Sequence, residues 1–412
     1  QARAAEKEIA AGKYRGRLHG IPYAAKDLLA VKGYPTTWGA RPYAKQSFDF
    51  DAAVIRKLNA AGAVLLGKAA MVELAGGMGY RYASASATGG AKNPWNTDFW
   101  TCGSSSGSGA IMASGLAAFA IGTETWGSII CPSGFCGITG LRPTFGRVSR
   151  GGAMALSYSM DKIGPMCRTA EDCDTVLQAI SGHDPDDAGS LPAPVAVYSG
   201  TPATGRLRMG WMTNAWKEIS PDVSTPVAAA RKVLESSPSV SMKDVALPEG
   251  PWEAAAGAVI SVEGATAFRS LIQSGKVAEL VDPLGHIGGY INEELSASDF
   301  MLAQRIRGIL RRKIDDLFTQ NQIDVLVSAS LPVTASKLDA NLDVALSFSD
   351  PAGGIGNICG LPAISVPCGF GDHGLPVGIQ FIGRVLDDAR VVQAARLFQS
   401  RTDWHTKRPA LS

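Results

Sequence analysis

Apolar and polar positions along this chain switch repeatedly between helical and strand periods. "DAAVIRKLNAAG" (51–62) keeps its apolar side chains on one face, which predicts a helix capped by Asp51 and stopped by Gly62, with the strand "AVLLGK" directly after it. "TAEDCDTVLQAISG" opens on a Thr-x-x-Asp box at Thr169 and ends at Gly182, predicting a second helix. "ASDFMLAQRIRGILRRKIDDLF" is amphipathic and leads into the strand "DVLVSAS". "AISVPCGF" and "VGIQFIG" read as two buried strands around the turn "GDHGLP", and "DDARVVQAARLFQSR" as a closing helix. "NPWNTDFWTC" reads as loop, and the Pro/Ala/Gly-rich stretch 184–206 as a surface connection. No fixed-period repeat appears. The alternation predicts one large α/β domain over residues 1–412, a central mixed β-sheet flanked by helices, with 207–300 as a more variable insertion.

Composition narrows the classes. With 46% apolar and 18% charged residues over 412 positions, the chain can bury a large core and is too apolar for disorder. Thirty-nine Lys and Arg against 37 Asp and Glu leave a net charge of +2, which argues against nucleic acid or an acidic membrane as partner. One basic cluster, Arg305, Arg307, Arg311, Arg312 and Lys313, has helical spacing and reads as a solvated helix face. The seven cysteines form no CxxC pair and have no His at ligand spacing, which points to reduced thiols in the cytoplasm and no zinc. No apolar run reaches membrane-spanning length. The chain opens at Gln1 inside a helical stretch with no initiator Met, so an upstream segment is expected to be missing.

Candidate chemistry concentrates in "GSSSGSGAIMASGLAAFAIGTETWGS" (103–128). A Gly-x-Ser-x-Gly elbow centred on Ser105 lacks the strand it needs, and of the five histidines only His405 offers a weak base. Ser159-Met160-Asp161-Lys162 matches Ser-x-x-Lys without its companion motifs. A serine hydrolase lacking a His needs another base, and a desolvated lysine serves because burial favours its neutral amine. Lys26, in the strand-like "HGIPYAAKDLLAV", fits that need; pairing with Asp27 or another carboxylate is the competing reading.

The ordered motifs "GIPYAAKD", "NPW", "GSSSGSGA", "GTETWGSIICPSGFCGITGLRPTFGRVSR", "DKIGPMCRTAEDC" and "GNICGLPAISVPCGF…GLPVGIQFIG" resemble the amidase signature family over most of the chain, with 190–320 the weakest part and a signature core at about 60–170. The resemblance implies a Ser–Ser–Lys triad whose middle serine follows a cis peptide bond. The family spacing of 24 residues selects Ser104 as that middle serine and Ser128 as nucleophile, with Lys26 as base. It places the oxyanion hole on the backbone N–H groups of Thr125, Trp126, Gly127 and Ser128. Met78, Gly79, Tyr80, Cys102 and Gly103 correspond to substrate-binding positions. No cofactor or metal is implied.

Three departures stand out. Trp126 replaces a glycine before the nucleophile, Cys102 replaces another, and Ile130 stands where many members have an Arg that pairs with the acid at Glu124. That ion pair is therefore expected to be lost, leaving an apolar pocket without a fixed charge. These features favour a stand-alone hydrolase of small-molecule amides, anilides or carbamates, of the aryl acylamidase or urethanase kind. Its expected partners are its substrate and, at most, copies of itself, with no nucleic acid and no membrane. The alternative is the catalytic subunit of a tRNA-dependent amidotransferase, which shares the triad. A non-catalytic binding protein is disfavoured because all three triad positions are present.

Overall fold

The segment "PYAAK" carries no charge before its last residue, and it forms the buried strand β1 (Pro22–Lys26). The computed structural model in which it is seen describes residues 1–192 and 206–410; most of the expected connection 184–206 lies outside the described residues. The other strands of the first half are β2 (Val64–Ala69), β3 (Lys92–Asn93), β4 (Asn96–Trp100), β5 (Phe119–Glu124), β6 (Thr139–Arg142) and β7 (Lys162–Cys167). The second half adds β8 (Leu207–Met212), β9 (Val240–Val245), β10 (Val325–Ala329), β11 (Ala363–Phe370) and β12 (Pro376–Gly383). Ten of these join in one mixed sheet of order β2-β1-β5-β7-β6-β11-β12-β10-β8-β9. Residues 207–300 thus supply two of its strands rather than a separate body.

Helices flank the sheet. They begin with α1 (Ala2–Ala10), α2 (Ala53–Ala60), α3 (Ser106–Ser114), α4 (Ile130–Cys136) and α5 (Ala170–Ile180). They continue with α6 (Pro221–Glu235), α7 (Trp252–Ala267), α8 (Arg269–Gln273), α9 (Gly285–Glu293) and α10 (Ala297–Gln320). The last are α11 (Leu342–Ala345), α12 (Pro351–Ile358) and α13 (Asp388–Gln399). Helix α3 lies against β1, β2 and β5, closely enough that a side chain at Gly107 would meet the Ala70 backbone at 2.5 Å. Among the described residues no helix is long and apolar enough to cross a membrane.

The capping box is present: Thr169 accepts from the Asp172 amide at 3.0 Å and starts α5. Other local expectations are corrected by tertiary contacts. The α2 N-cap is Ala52, because Asp51 turns outward to accept from the Lys32 amide at 2.8 Å. "NPWNTDFWTC" contains the β3–β4 hairpin instead of plain loop, its Asn93 amide nitrogen donating to the Phe135 carbonyl at 2.8 Å. Arg307 is not on the solvated face; it is buried and donates to the Ser159 hydroxyl at 2.7 Å, whereas Arg305, Arg311, Arg312 and Lys313 are exposed.

Strand polarity places the site. Both β2 and β5 run parallel to β1, so the ends at Lys26 and Glu124 emerge on the same side of the sheet. Fully buried Glu124 then anchors the turn that leaves β5. One carboxylate oxygen accepts from Arg142 at 2.7 Å, and the other from the amides of Ile129 and Ile130 at 2.8 and 2.9 Å. The expected loss of the acid's partner is therefore wrong: Arg142, at the end of β6, supplies the cation that Ile130 does not. Burial alone would raise the Glu124 pKa, but the Arg142 charge and these hydrogen bonds outweigh it and hold it at about 2.

Removing one partner of such a pair leaves an uncompensated buried charge, so Arg142→Ala is expected to destabilise by about 3–5 kcal/mol in urea unfolding at pH 7. A loss below about 1 kcal/mol would place the pair in the surface class instead. Because the folded-state pKa of Glu124 is depressed, its contribution is complete above its ordinary value of 4.5 and fades as pH falls towards about 2.

Candidate active site

Lys26 is wholly buried at the end of β1, yet among the described residues no carboxylate touches it. Its Nζ contacts Ser104 Oγ at 2.7 Å, Ser105 Oγ at 2.9 Å and Thr123 Oγ1 at 2.9 Å, with the Thr123 carbonyl further off at 3.4 Å. The competing pairing with Asp27 does not occur, because Asp27 faces elsewhere and binds Lys68 at 2.7 Å. Burial lowers the Lys26 pKa to about 7, against the opposing charges of Asp161 and Glu124. A substantial fraction of the amine is therefore neutral at physiological pH.

The Gly103–Ser104 peptide is cis. Ser105 sits at the start of α3, fully buried, where its hydroxyl donates to the Thr123 carbonyl at 3.1 Å and accepts from the Thr123 amide at 3.2 Å. Ser105 is thus the third hydroxyl around Lys26, a contact that no spacing or motif signals. Ser128 follows Gly127, whose φ of +78° makes the sharp turn out of β5 that a side chain would strain. Among the described residues, no acceptor is found for the amides of Trp126, Gly127 or Ser128. All three residues line a cavity of about 420 Å³.

Of the other expected positions, Tyr80, Cys102 and Gly103 line this cavity, while Met78 packs in the core towards α9 and Gly79 sits against Leu284. Further walls come from Phe348, Asp350 and Glu253, segments far apart in sequence. The expectation of a pocket without charge is therefore wrong. Trp126 Nε1 donates to Asp350 at 2.8 Å, and the same carboxylate caps α12 through the Gly353 amide at 2.8 Å. Burial raises the Asp350 pKa to about 7, beyond what these bonds recover. Glu253 accepts from the Asp350 amide, and among the described residues no Lys or Arg lines the cavity.

Fold and site together define an enzyme that acts on C–N bonds, and the chain belongs to the Amidase family, whose model matches residues 1–392. The chain is 36% identical to the A subunit of the glutamyl-tRNA(Gln) amidotransferase of Cupriavidus pinatubonensis, across 100% of this chain and 89% of that one. The corresponding protein of Halalkalibacterium halodurans is 35% identical, across 100% and 90%. Among solved structures, the same amidotransferase component from Thermotoga maritima superposes with a TM-score of 0.82 at 28% identity, covering 96% of this chain and 87% of that one. The peptide amidase of Stenotrophomonas maltophilia superposes with a TM-score of 0.85 at 28% identity, covering 100% and 88%.

The full-length relatives overturn the expectation of a stand-alone aryl acylamidase or urethanase, and with it the expected absence of nucleic acid and of partner subunits. Two arguments favour that expectation, and both fail. The absent Arg reads as a lost ion pair, which Arg142 restores. The small net charge reads as excluding tRNA, yet net charge bears only on contacts this chain makes itself.

With Lys26 as base, kcat/KM for amide cleavage is expected to rise with pH through about 7 as the amine loses its proton, and to level off above. A rate that is flat from pH 5.5 to 8.5 would exclude that assignment.

Proposed function

We propose that this chain is the catalytic component of a tRNA-dependent amidotransferase, which frees nitrogen from a linear carboxamide donor for delivery to glutamyl-tRNA(Gln) held with partner subunits. The observation that carries this reading is the resemblance to the amidotransferase relatives, which covers the whole chain. The Lys26–Ser104 hydrogen bond supports it, as does a cavity lined by both Ser128 and Gly103, the residue before Ser104. Reduced thiols, all seven cysteines being free, suit work in the cytoplasm.

In the proposed sequence, neutral Lys26 draws a proton from Ser104, and Ser104 in turn takes one from Ser128. The Ser128 oxygen attacks the carboxamide carbon. Charge on the carbonyl oxygen then meets the amides of the turn 125–128, which need no rearrangement to receive it. Proton return through Ser104 lets nitrogen leave, and water subsequently cleaves the acyl-Ser128 ester. A cavity holding Asp350 and Glu253 without a basic residue favours a donor that carries an ammonium group.

Ser128→Ala and Lys26→Ala are each expected to lower ammonia release from L-glutamine by at least about 10³-fold. They should also abolish amide formation on glutamyl-tRNA(Gln) when the chain is combined with its partner subunits. Transamidation that persists in Ser128→Ala without added ammonia would refute the reading. Asp350→Asn is expected to raise KM for a cationic donor with a smaller change in kcat. In the wild type that KM should fall as pH rises through about 7, where Asp350 gains its charge.

A further inference from the structure

The turn 125–128 has to hold its amides in one orientation, yet it lies beyond the end of β5. A peptide plane outside a ladder can flip, which turns an N–H donor away and puts a carbonyl in its place. Something has to prevent that.

Two adjacent residues touch Thr125, and neither lines the Ser128 cavity. Antiparallel pairing of β5 with β7 sets Glu124 opposite Lys162, which brings Asp161 and Lys162 beside the turn. Asp161 accepts from the Thr125 hydroxyl at 2.6 Å, while its second oxygen is held by the amides of Leu156 and Ser157 at 2.8 and 2.9 Å. Lys162 Nζ donates to the Thr125 carbonyl at 3.4 Å and to the Met160 carbonyl. Thr125, Asp161 and Lys162 together line a second cavity of about 220 Å³.

Lys162 is 2% exposed, and its hydrogen-bond acceptors are both carbonyl oxygens. Burial holds its pKa well below the usual lysine range, and the Arg142 charge pushes the same way. Protonated or neutral, the amine has N–H donors enough for both carbonyl acceptors. In a trans peptide the C=O and the next N–H point in opposite directions. A Thr125 carbonyl turned towards Lys162 therefore sends the Trp126 N–H the other way.

We propose that Lys162 is a positioning residue for the oxyanion turn: with Asp161 holding the Thr125 side chain, its amine pins the Thr125 carbonyl and so aims the Trp126 N–H into the Ser128 cavity. The proposal rests on Ser128 as nucleophile. It separates two buried lysines by their neighbours, three hydroxyls and one carbonyl for Lys26 and carbonyls alone for Lys162.

The test uses the full-length chain and a fluorophosphonate, whose reaction reports both serine reactivity and the oxyanion site. Lys162→Met keeps the bulk of the side chain but removes the donor, and is expected to label about 100-fold more slowly at saturation, with half-saturating probe concentration unchanged. Its thermal midpoint should not fall, because a buried amine is replaced by an apolar chain. Lys162→Gln, which retains a donor, should recover part of the rate. Thr125→Val removes only the hook to Asp161 and should give an intermediate loss, which decides the matter if Lys162→Met fails to fold. Wild-type labelling rates in folded Lys162→Met or in Thr125→Val overturn the clamp while leaving the site intact, provided Ser128→Ala does not label. Undiminished labelling of Ser128→Ala overturns the nucleophile and the clamp together.

Discussion

The geometry of the site depends on a carboxylate shut away from the surface. Glu124 ends β5 fully buried, and its two oxygens face in two directions, one to Arg142 and the other to the first amides of α4. Between these fixed points only residues 125–128 remain to close the turn, and they include the proposed nucleophile. Arg142 extends the tie, since its Nε donates to the Leu361 carbonyl at 3.1 Å, just ahead of β11. A single buried anion thus links β5, α4, β6 and the approach to β11. Desolvating it is costly, and the cost is offset because every oxygen is bonded. The turn has little freedom because its two ends belong to strands and a helix that are themselves packed.

The same sheet buries two lysines that form no ion pair among the described residues, and they are not equivalent. Beside the Thr123 carbonyl, Lys26 meets the Ser104, Ser105 and Thr123 hydroxyls, groups that both accept and donate. A proton has somewhere to go in that niche. Lys162 meets carbonyl oxygens, which accept hydrogen bonds but have no proton to exchange. Desolvation depresses both pKa values, so burial alone does not make a base; the neighbouring hydroxyls provide the route. This is why a lysine in an apolar strand is a suggestive signal and an incomplete one.

How much of the molecule is legible in the sequence depends on the range of the interactions involved. Elements set by local periodicity, such as α5 with its Thr169 cap and the β11–β12 pair, are readable because their causes lie within a few residues. Lys26 is readable as a charge in an apolar strand, and the serines through the order and spacing of several motifs. The Glu124–Arg142 pair is not, since it depends on the register of β5, β7 and β6, and no pattern in "GLRPTFGR" marks Arg142 as buried. Asp51 fails as a cap and Arg307 as a surface residue for a related reason: each is claimed by a contact from elsewhere in the fold. The wall formed by Phe348, Asp350 and Glu253 is a meeting of distant segments, which a linear reading has no means to assemble.

Trp126 stands out in the sequence as a departure from a glycine, and the structure shows it tying the turn to Asp350. A glycine there would leave the turn held only from within, by Glu124 at its ends and by Thr125 beside β7. The indole reaches across the cavity mouth to Asp350, which begins α12, and Glu253 of α7 in turn holds the Asp350 amide. Wall and oxyanion turn therefore share a hydrogen-bonded chain, and the shape of the donor cavity cannot change without disturbing the turn. The carboxylate that makes the link has a pKa near neutrality, so its charge varies over the working range while its acceptor role towards the indole does not. The charge on the cavity wall is then the property that pH adjusts at Asp350, and the hydrogen bond to the turn the property it leaves alone. The bulky side chain two residues before Ser128 thus couples the wall of the cavity to the turn that carries the amides of residues 126–128.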